Sequence, residues 1–242
     1  MGAAEGDLWI VADGAQSVYG RPSSFTWKSL GINAQGRIQI LSTNSRSTKQ
    51  IIEFAWSGAQ QPHKESEDAR AHLRAQPTHA RRNGPVPAYR ACQSAREERD
   101  RIVQLVLDFK NQGVPKQDIG ILYARKDGKR IEELFAGLQA CGSVCWITNE
   151  ADPSARHQFV ARPGVRLCII HSAKGPQFPV VIFSAVDQLP NPMSTDEEAD
   201  SNLLYVGLTR AEHQWVLTWT GQSQFTERVL QSNKAVPLFD QV

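Results

Sequence analysis

Val165-Arg166-Leu167-Cys168-Ile169-Ile170-His171-Ser172-Ala173-Lys174-Gly175-Pro176-Gln177-Phe178 and the run Val180 to Val186 that follows it decide the fold class. Two largely apolar runs read as strands, Val165 to His171 and Val180 to Val186, interrupted only by Arg166, the terminal His171 and Ser184, flank a short polar loop carrying a Gly-Pro pair. A strand that is apolar along its whole length has no face left for water, so it reads as an interior strand of a parallel sheet covered on both sides.

Working outward, the same grammar repeats. Tyr89 to Gln93 and Ile119 to Tyr123 read as strands, with an amphipathic helix from Glu97 to Lys110 between them. A helix from Arg130 to Ala140 and a strand from Cys145 to Thr148 come next, and beyond the opening stretch lie a helix from Glu197 to Arg210 and a strand from Gln214 to Trp219. Strands alternating with helices of this length predict an α/β fold, a doubly wound parallel sheet. Ligands of such sheets gather at the carboxyl ends of the strands.

Towards the amino terminus, Leu8 to Asp13 and Arg37 to Leu41 are further apolar runs, and Thr48 to Trp56 has a helical pattern for which Ser47 or Thr48 serves as N-cap. From Ser57 to Arg90, Gln, His, Arg, Pro and Glu dominate, so this stretch is expected to be an exposed insert. Its basic residues, Arg81 and Arg82 among them, read as a solvated run rather than as a nucleic-acid contact.

Composition narrows the classes. A net charge of +2 over 242 residues is too small to argue for a nucleic-acid partner from bulk electrostatics, so any such claim must rest on sites. The four cysteines are scattered, and only Cys141 and Cys145 are close, without a second Cys or His pair to complete a zinc tetrahedron. They are expected to be reduced, buried thiols of a cytoplasmic protein. No apolar run approaches the length of a membrane span, and no secretory signal opens the chain.

Four segments interrupt apolar context with polar residues at strand ends: Asp13 to Tyr19, Asn44 to Thr48, His171 to Phe178, and Tyr205 to Ala211. In that order and at those spacings they resemble motifs III, IV, V and VI of UvrD/Rep-type superfamily 1 DNA helicases, over nearly the whole chain. The strongest are Ile170-His171-Ser172-Ala173-Lys174-Gly175, similar to motif V, and Asn202-Leu203-Leu204-Tyr205-Val206-Gly207-Leu208-Thr209-Arg210-Ala211, similar to motif VI.

The resemblance implies a RecA-like domain without its own phosphate loop, the second of a pair that closes over ATP and Mg2+ while moving 3′ to 5′ along single-stranded DNA. Residues 1–41 would be the remnant of the first RecA-like domain, carrying motif III, and 42–242 the second, with 57–90 as its insert. Arg46 and Arg210 fall where the family places arginines on the γ-phosphate, and guanidinium donors there stabilise the charge spread over the transferring group. Gln16 falls on the glutamine that senses that phosphate, and Gln177 on a ribose-binding position. Tyr19, His171 and Lys174 fall on positions along the DNA path, Tyr19 as a stacking platform and Lys174 as a point charge for a phosphate. Phe25 and Trp27 also follow motif III, but aromatics in such a loop serve equally as lids on a hydrophobic cluster.

Two departures lower the expected nucleotide affinity. Ser45 replaces a tyrosine that stacks on the base, and Gln177 replaces a carboxylate that takes the ribose hydroxyl. A Gly-x-x-x-x-Gly-Lys-Ser/Thr loop and an apolar strand ending in paired acids are both absent from the sequence. In the family those motifs precede the Asp13 segment, so a reading frame truncated at its amino end is expected. The chain would then need an N-terminal RecA-like domain as partner, in cis or in trans. A catalytically silent DNA- or protein-binding scaffold is the alternative. A nuclease is disfavoured, because Asp196, Glu197, Glu198 and Asp200 read as the acidic first turn of a helix.

Overall fold

The computed structural model describes residues 31–32, 43–59, 79–149, 151–173, 175–191 and 197–238. Its centre is a seven-stranded sheet in which every neighbouring pair is parallel. The strands are β3 (Ala88–Ala91), β4 (Ile119–Tyr123), β5 (Val144–Trp146), β6 (Val165–Ile169), β7 (Phe178–Ser184), β8 (Ala211–Trp219) and β9 (Val236–Pro237), in the spatial order β5-β6-β4-β7-β8-β3-β9. A separate parallel pair joins β1 (Thr43–Asn44) to β2 (His79–Ala80).

Both faces of the sheet are buried, as the largely apolar runs predict, and successive residues of one strand serve opposite faces. Ile119, Ile121 and Tyr123 of β4, with Ile182 and Val216, pack under α2 (Ala95–Asn111) and α3 (Gly128–Gln139) through Ile102, Val106, Phe109, Ile131, Leu134 and Leu138. Leu122 points the other way and joins Val181, Phe183, Trp215 and Leu217 beneath α1 (Lys49–Ala59), α5 (Glu197–Leu208) and α6 (Gln224–Gln231). The Phe54 and Trp215 rings meet edge to face at 4.8 Å in that second core. Period-two alternation with apolar residues on both sides is the expected signature of a sheet with two helical layers.

Most helix boundaries follow local chemistry. Ser94 caps α2 by accepting the Glu97 amide, and Glu97 and Glu98 sit in its first turn, where the helix dipole favours acids. Sequence patterning missed α4 (Pro153–Ala161) and α6. The first buries only Phe159, so periodicity is silent there, yet Asp152 caps it and Pro153 opens it. Ser223 and Thr226 close a reciprocal capping box at the start of α6.

The expected cap of α1 is corrected. The Ser47 and Thr48 hydroxyls are buried and make no hydrogen bond. Instead Asn44 Oδ1 accepts the Arg46 and Ser47 amides at 2.8 and 2.9 Å, and the Arg82 carbonyl accepts the Lys49 amide at 2.8 Å. The stretch read as an exposed insert is likewise built in at its end. Residues 79–90 contain β2 and most of β3, and the Gly84 amide donates to Gln50 Oε1 of α1 at 2.9 Å. Hydrogen bonding to distant backbone, which composition does not register, holds this polar segment.

Candidate functional site

The site is assembled at the start of β7 and β8. Phe178 and Ala211, the first residues of the two strands, are paired, and the Phe178 amide donates to the Arg210 carbonyl at 3.0 Å. One residue earlier, Gln177 Nε2 reaches the Thr209 carbonyl at 3.5 Å. The helix-to-strand turn that carries Arg210 is closed by the Thr209 hydroxyl, which donates to the Tyr205 carbonyl at 2.9 Å. Arg210 is only 3% exposed, and its Nε donates to the Val206 carbonyl at 3.0 Å. A cation just past the carboxyl end of a helix interacts favourably with its last carbonyls, so the sequence places the guanidinium where α5 stabilises it.

The Asn44 to Thr48 segment comes to the same place. The Thr48 amide donates to the Glu212 carbonyl at 3.2 Å, two residues beyond Arg210. Arg46 lies in the exposed turn that Asn44 closes. Packing of α1 on α5, where the Trp56 and Tyr205 rings meet edge to face at 6.2 Å, sets that turn against the end of α5. The segments that carry Arg46, Gln177 and Arg210 are therefore neighbours although they lie far apart in the chain.

The candidate residues do not all stand at the carboxyl ends of strands. Gln177 and Arg210 stand at the amino ends of β7 and β8, because the first closes a loop that has already crossed the sheet and the second ends a helix about to feed a strand. Arg46 follows the carboxyl end of β1, and His171, half-buried, follows that of β6. The structure thus separates His171 from the other three. Gln16, Tyr19 and Lys174 lie outside the described residues, as do Phe25 and Trp27.

Sequence reasoning overlooked a buried polar network at the carboxyl ends of β7 and β8. Glu98 of α2 is 1% exposed and accepts from the Thr218 hydroxyl at 2.7 Å, the Ala185 amide at 2.9 Å and the Ser184 hydroxyl at 3.4 Å. Arg130 of α3 pairs with Glu98 and stands 3.9 Å from Asp187, whose carboxylate accepts the Gly221 amide at 3.1 Å. The signal was present: Glu98 lies on the stripe of Ile102, Leu105, Val106 and Phe109, so α2 turns a carboxylate into the core. Among the described residues no helix is long and apolar enough to cross a membrane.

Residues 165–218, which include β6, the 170–177 loop, β7, α5 and most of β8, match the family model of the UvrD-like helicase C-terminal domain. Among solved structures, the C-terminal domain of a possible DNA helicase from Lactobacillus plantarum WCFS1 superposes with a TM-score of 0.53 at 21% identity, covering 80% of this chain and 98% of that one. The C-terminal domain of the DEAD-box protein Dbp5 is also similar, with a TM-score of 0.43 at 14% identity over 62% of this chain and 89% of that one. No curated protein matches the sequence. The sheet is RecA-like, and the stretch that is similar to the UvrD-like helicase C-terminal domain carries both Gln177 and Arg210.

Proposed function

We propose that the chain is the C-terminal motor half of an ATP-dependent DNA helicase, working 3′ to 5′ on single-stranded DNA beside a first RecA-like domain supplied in cis or in trans. One observation supports the reading: the segments carrying Arg46, Gln177 and Arg210, separately assigned to nucleotide contacts from their motifs, are neighbours at the amino ends of β7 and β8. Two guanidinium groups and an amide carried on neighbouring segments suit a triphosphate, because a polyanion is stabilised by clustered charge-assisted donors.

In this reading residues 42–242 form the second RecA-like domain and residues 1–41 belong to the first. Magnesium-bound ATP, held mainly by the partner domain, supplies the phosphoryl group whose hydrolysis drives the motor. Arg210 and Arg46 stabilise charge at the γ-phosphate, Gln16 senses it, and Gln177 hydrogen-bonds near the ribose. Being buried with its Nε tied to Val206, Arg210 is preorganised, so it loses little side-chain freedom when the domains close. His171, Lys174 and Tyr19 face the DNA. His171 and Gln177 stand at the two ends of one loop, which gives a short covalent route from the DNA contact to the nucleotide contact.

The test is reconstitution. The chain alone is expected to show no ATPase, whereas the chain with a first RecA-like domain carrying a phosphate loop is expected to show turnover stimulated by single-stranded DNA. Arg210→Ala should lower it by a thousandfold or so, the scale of an arginine finger. Turnover by the isolated chain, or full activity of a folded Arg210→Ala variant, refutes the proposal. The burial of Arg210 also favours a second reading, a silent scaffold in which this side chain only closes the α5 turn. There Arg210→Ala lowers the melting temperature and the reconstituted mixture is inactive from the start.

A further inference from the structure

The segment ending the polar stretch brings two more arginines to the same edge. Strand β2 pairs with β1 so that Ala80 lies opposite Asn44, and the Arg81 amide donates to the Asn44 carbonyl at 3.2 Å. The Lys49 amide then donates to the Arg82 carbonyl at 2.8 Å, and the Arg82 guanidinium reaches the Glu212 carbonyl at 3.4 Å. The turn holding Arg46 is thus clamped on both sides by backbone from residues 81 and 82. Arg46, Arg81 and Arg82 are all exposed. Nothing in composition distinguishes Arg81 and Arg82 from a solvated run; their backbone hydrogen bonds do. Fixing the backbone of three exposed arginines around one turn raises the local potential, a cost that an anionic ligand offsets. The neighbouring start of α1 carries no acid in its first turn, and the buried Ser47 and Thr48 hydroxyls beside it have no partner.

We infer that Arg81 and Arg82 extend the nucleotide site into a phosphate-gripping rim, so that this edge binds a polyphosphate chain largely without reading the base. The inference rests on the proposed placement of the nucleotide here and adds two residues and a specificity to it. Arg82 is partly engaged with the Glu212 carbonyl, whereas Arg81 is tied through its backbone, which makes Arg81 the cleaner probe.

The experiment titrates the full chain with inorganic tripolyphosphate and with ATP, GTP and CTP by calorimetry at low salt without magnesium. Tripolyphosphate is expected to bind within about threefold of all three nucleotides. Each charged hydrogen bond lost should weaken it about tenfold, so Arg81→Ala shows that drop and Arg81→Ala with Arg82→Ala more. The lysine double variant, R81K with R82K, should recover part of the loss, with melting temperatures unchanged. Arg125→Ala with Lys126→Ala removes the same charge just beyond β4, at the opposite edge, and should leave binding intact. Binding unaffected by Arg81→Ala, or ATP preferred tenfold over tripolyphosphate, overturns the rim. So does binding of a single-stranded oligonucleotide that depends on Arg81 while tripolyphosphate does not bind. The two readings fail separately. Reconstituted hydrolysis with no effect of Arg81→Ala on binding refutes the rim and leaves the motor half standing; Arg81-dependent tripolyphosphate binding with no reconstituted hydrolysis does the reverse.

Discussion

Replacing Glu98 by alanine should be among the most destabilising single changes in this domain, and the contacts say why. The carboxylate is the acceptor for the Thr218 hydroxyl, the Ala185 amide, the Ser184 hydroxyl and Arg130, with its side chain 2% exposed. Removing it strands two well-placed neutral donors, at about 1–3 kcal/mol each, and an almost buried cation, for which about 3–5 kcal/mol is typical. These losses overlap, because water enters the vacated space and the 16% exposed Arg130 can turn towards it, so about 4–5 kcal/mol is expected in all. For a domain of this size that lowers the melting temperature by roughly 10–15 °C. Arg130→Ala should cost less, about 2 kcal/mol, since the carboxylate keeps its three neutral donors. Urea denaturation of the three proteins measures the order. The informative variant is Glu98→Leu with Arg130→Met. Replacing a buried ion pair by apolar groups is often neutral, but here Thr218 and Ala185 would still lack an acceptor, so the double variant should remain well below wild type. Wild-type stability in that double variant would refute the claim that Glu98 matters as an acceptor for neutral donors.

Two further outcomes follow from the packing and the charges. A methyl group at Gly120 would lie 2.4 Å from the Phe178 ring, so Gly120→Ala should cost about 1–3 kcal/mol by overpacking and, by shifting Phe178, disturb the Gln177 and Arg210 turn; reconstituted ATPase falling further than the loss of folded protein is the expected readout, and an unchanged rate contradicts it. Burial first, then the Glu98 and Glu97 carboxylates, push the Cys92 thiol from 9.0 up to about 11. The folded state therefore holds the proton more tightly than the unfolded chain, so this contribution is whole below pH 9 and is lost as pH rises through about 11, which urea melts between pH 8 and 11 of wild type and Cys92→Ala should show as a steeper decline in wild type. A parallel decline in the two proteins would contradict it.

The sheet was legible because burial on both faces leaves a sequence signature that needs no tertiary knowledge. Ile119 to Tyr123 has the same bounds in sequence and structure, while Val165 to His171 extends past the end of β6 because Ile170 is apolar yet already in the turn, its amide bonded to the Tyr123 carbonyl. Conversely, the strand read as starting at Val180 begins two residues earlier, since Phe178 pairs with Ala211 despite the intervening Pro179. The identities of Arg46, Gln177 and Arg210 were legible as motif positions, but the edge on which they meet was not. Periodicity records which residues are inside, not whether a loop has crossed the sheet before its polar residue appears. Glu98 and the backbone anchoring of Arg81 and Arg82 depend on partners far away in the chain, with Thr218 and Glu212 as examples, and no local pattern encodes them.

The two ends of the sheet differ in a way that bears on how a motor domain would work. Around Glu98, the carboxyl ends of β7 and β8 are tied to α2 and α3 by a buried carboxylate and a guanidinium, so those strands and helices move as one body. At the amino ends the ties are mainly backbone hydrogen bonds between turns, Phe178 to Arg210, Thr48 to Glu212 and Lys49 to Arg82, with the Arg46, Arg81 and Arg82 side chains exposed and Arg210 buried. Such an edge can adjust to a ligand by small turn movements without disturbing the core behind it. The loop from His171 to Gln177 joins the end of β6 to the adaptable edge, and Ile170 at its start packs against Gly207 of α5, where an added methyl group would come within 2.5 Å of it. The loop is therefore connected to α5 and the turn after it in two ways, by the Gln177 hydrogen bond to the Thr209 carbonyl and by the steric contact of Ile170 with Gly207, the second of which leaves no room for a side chain at 207.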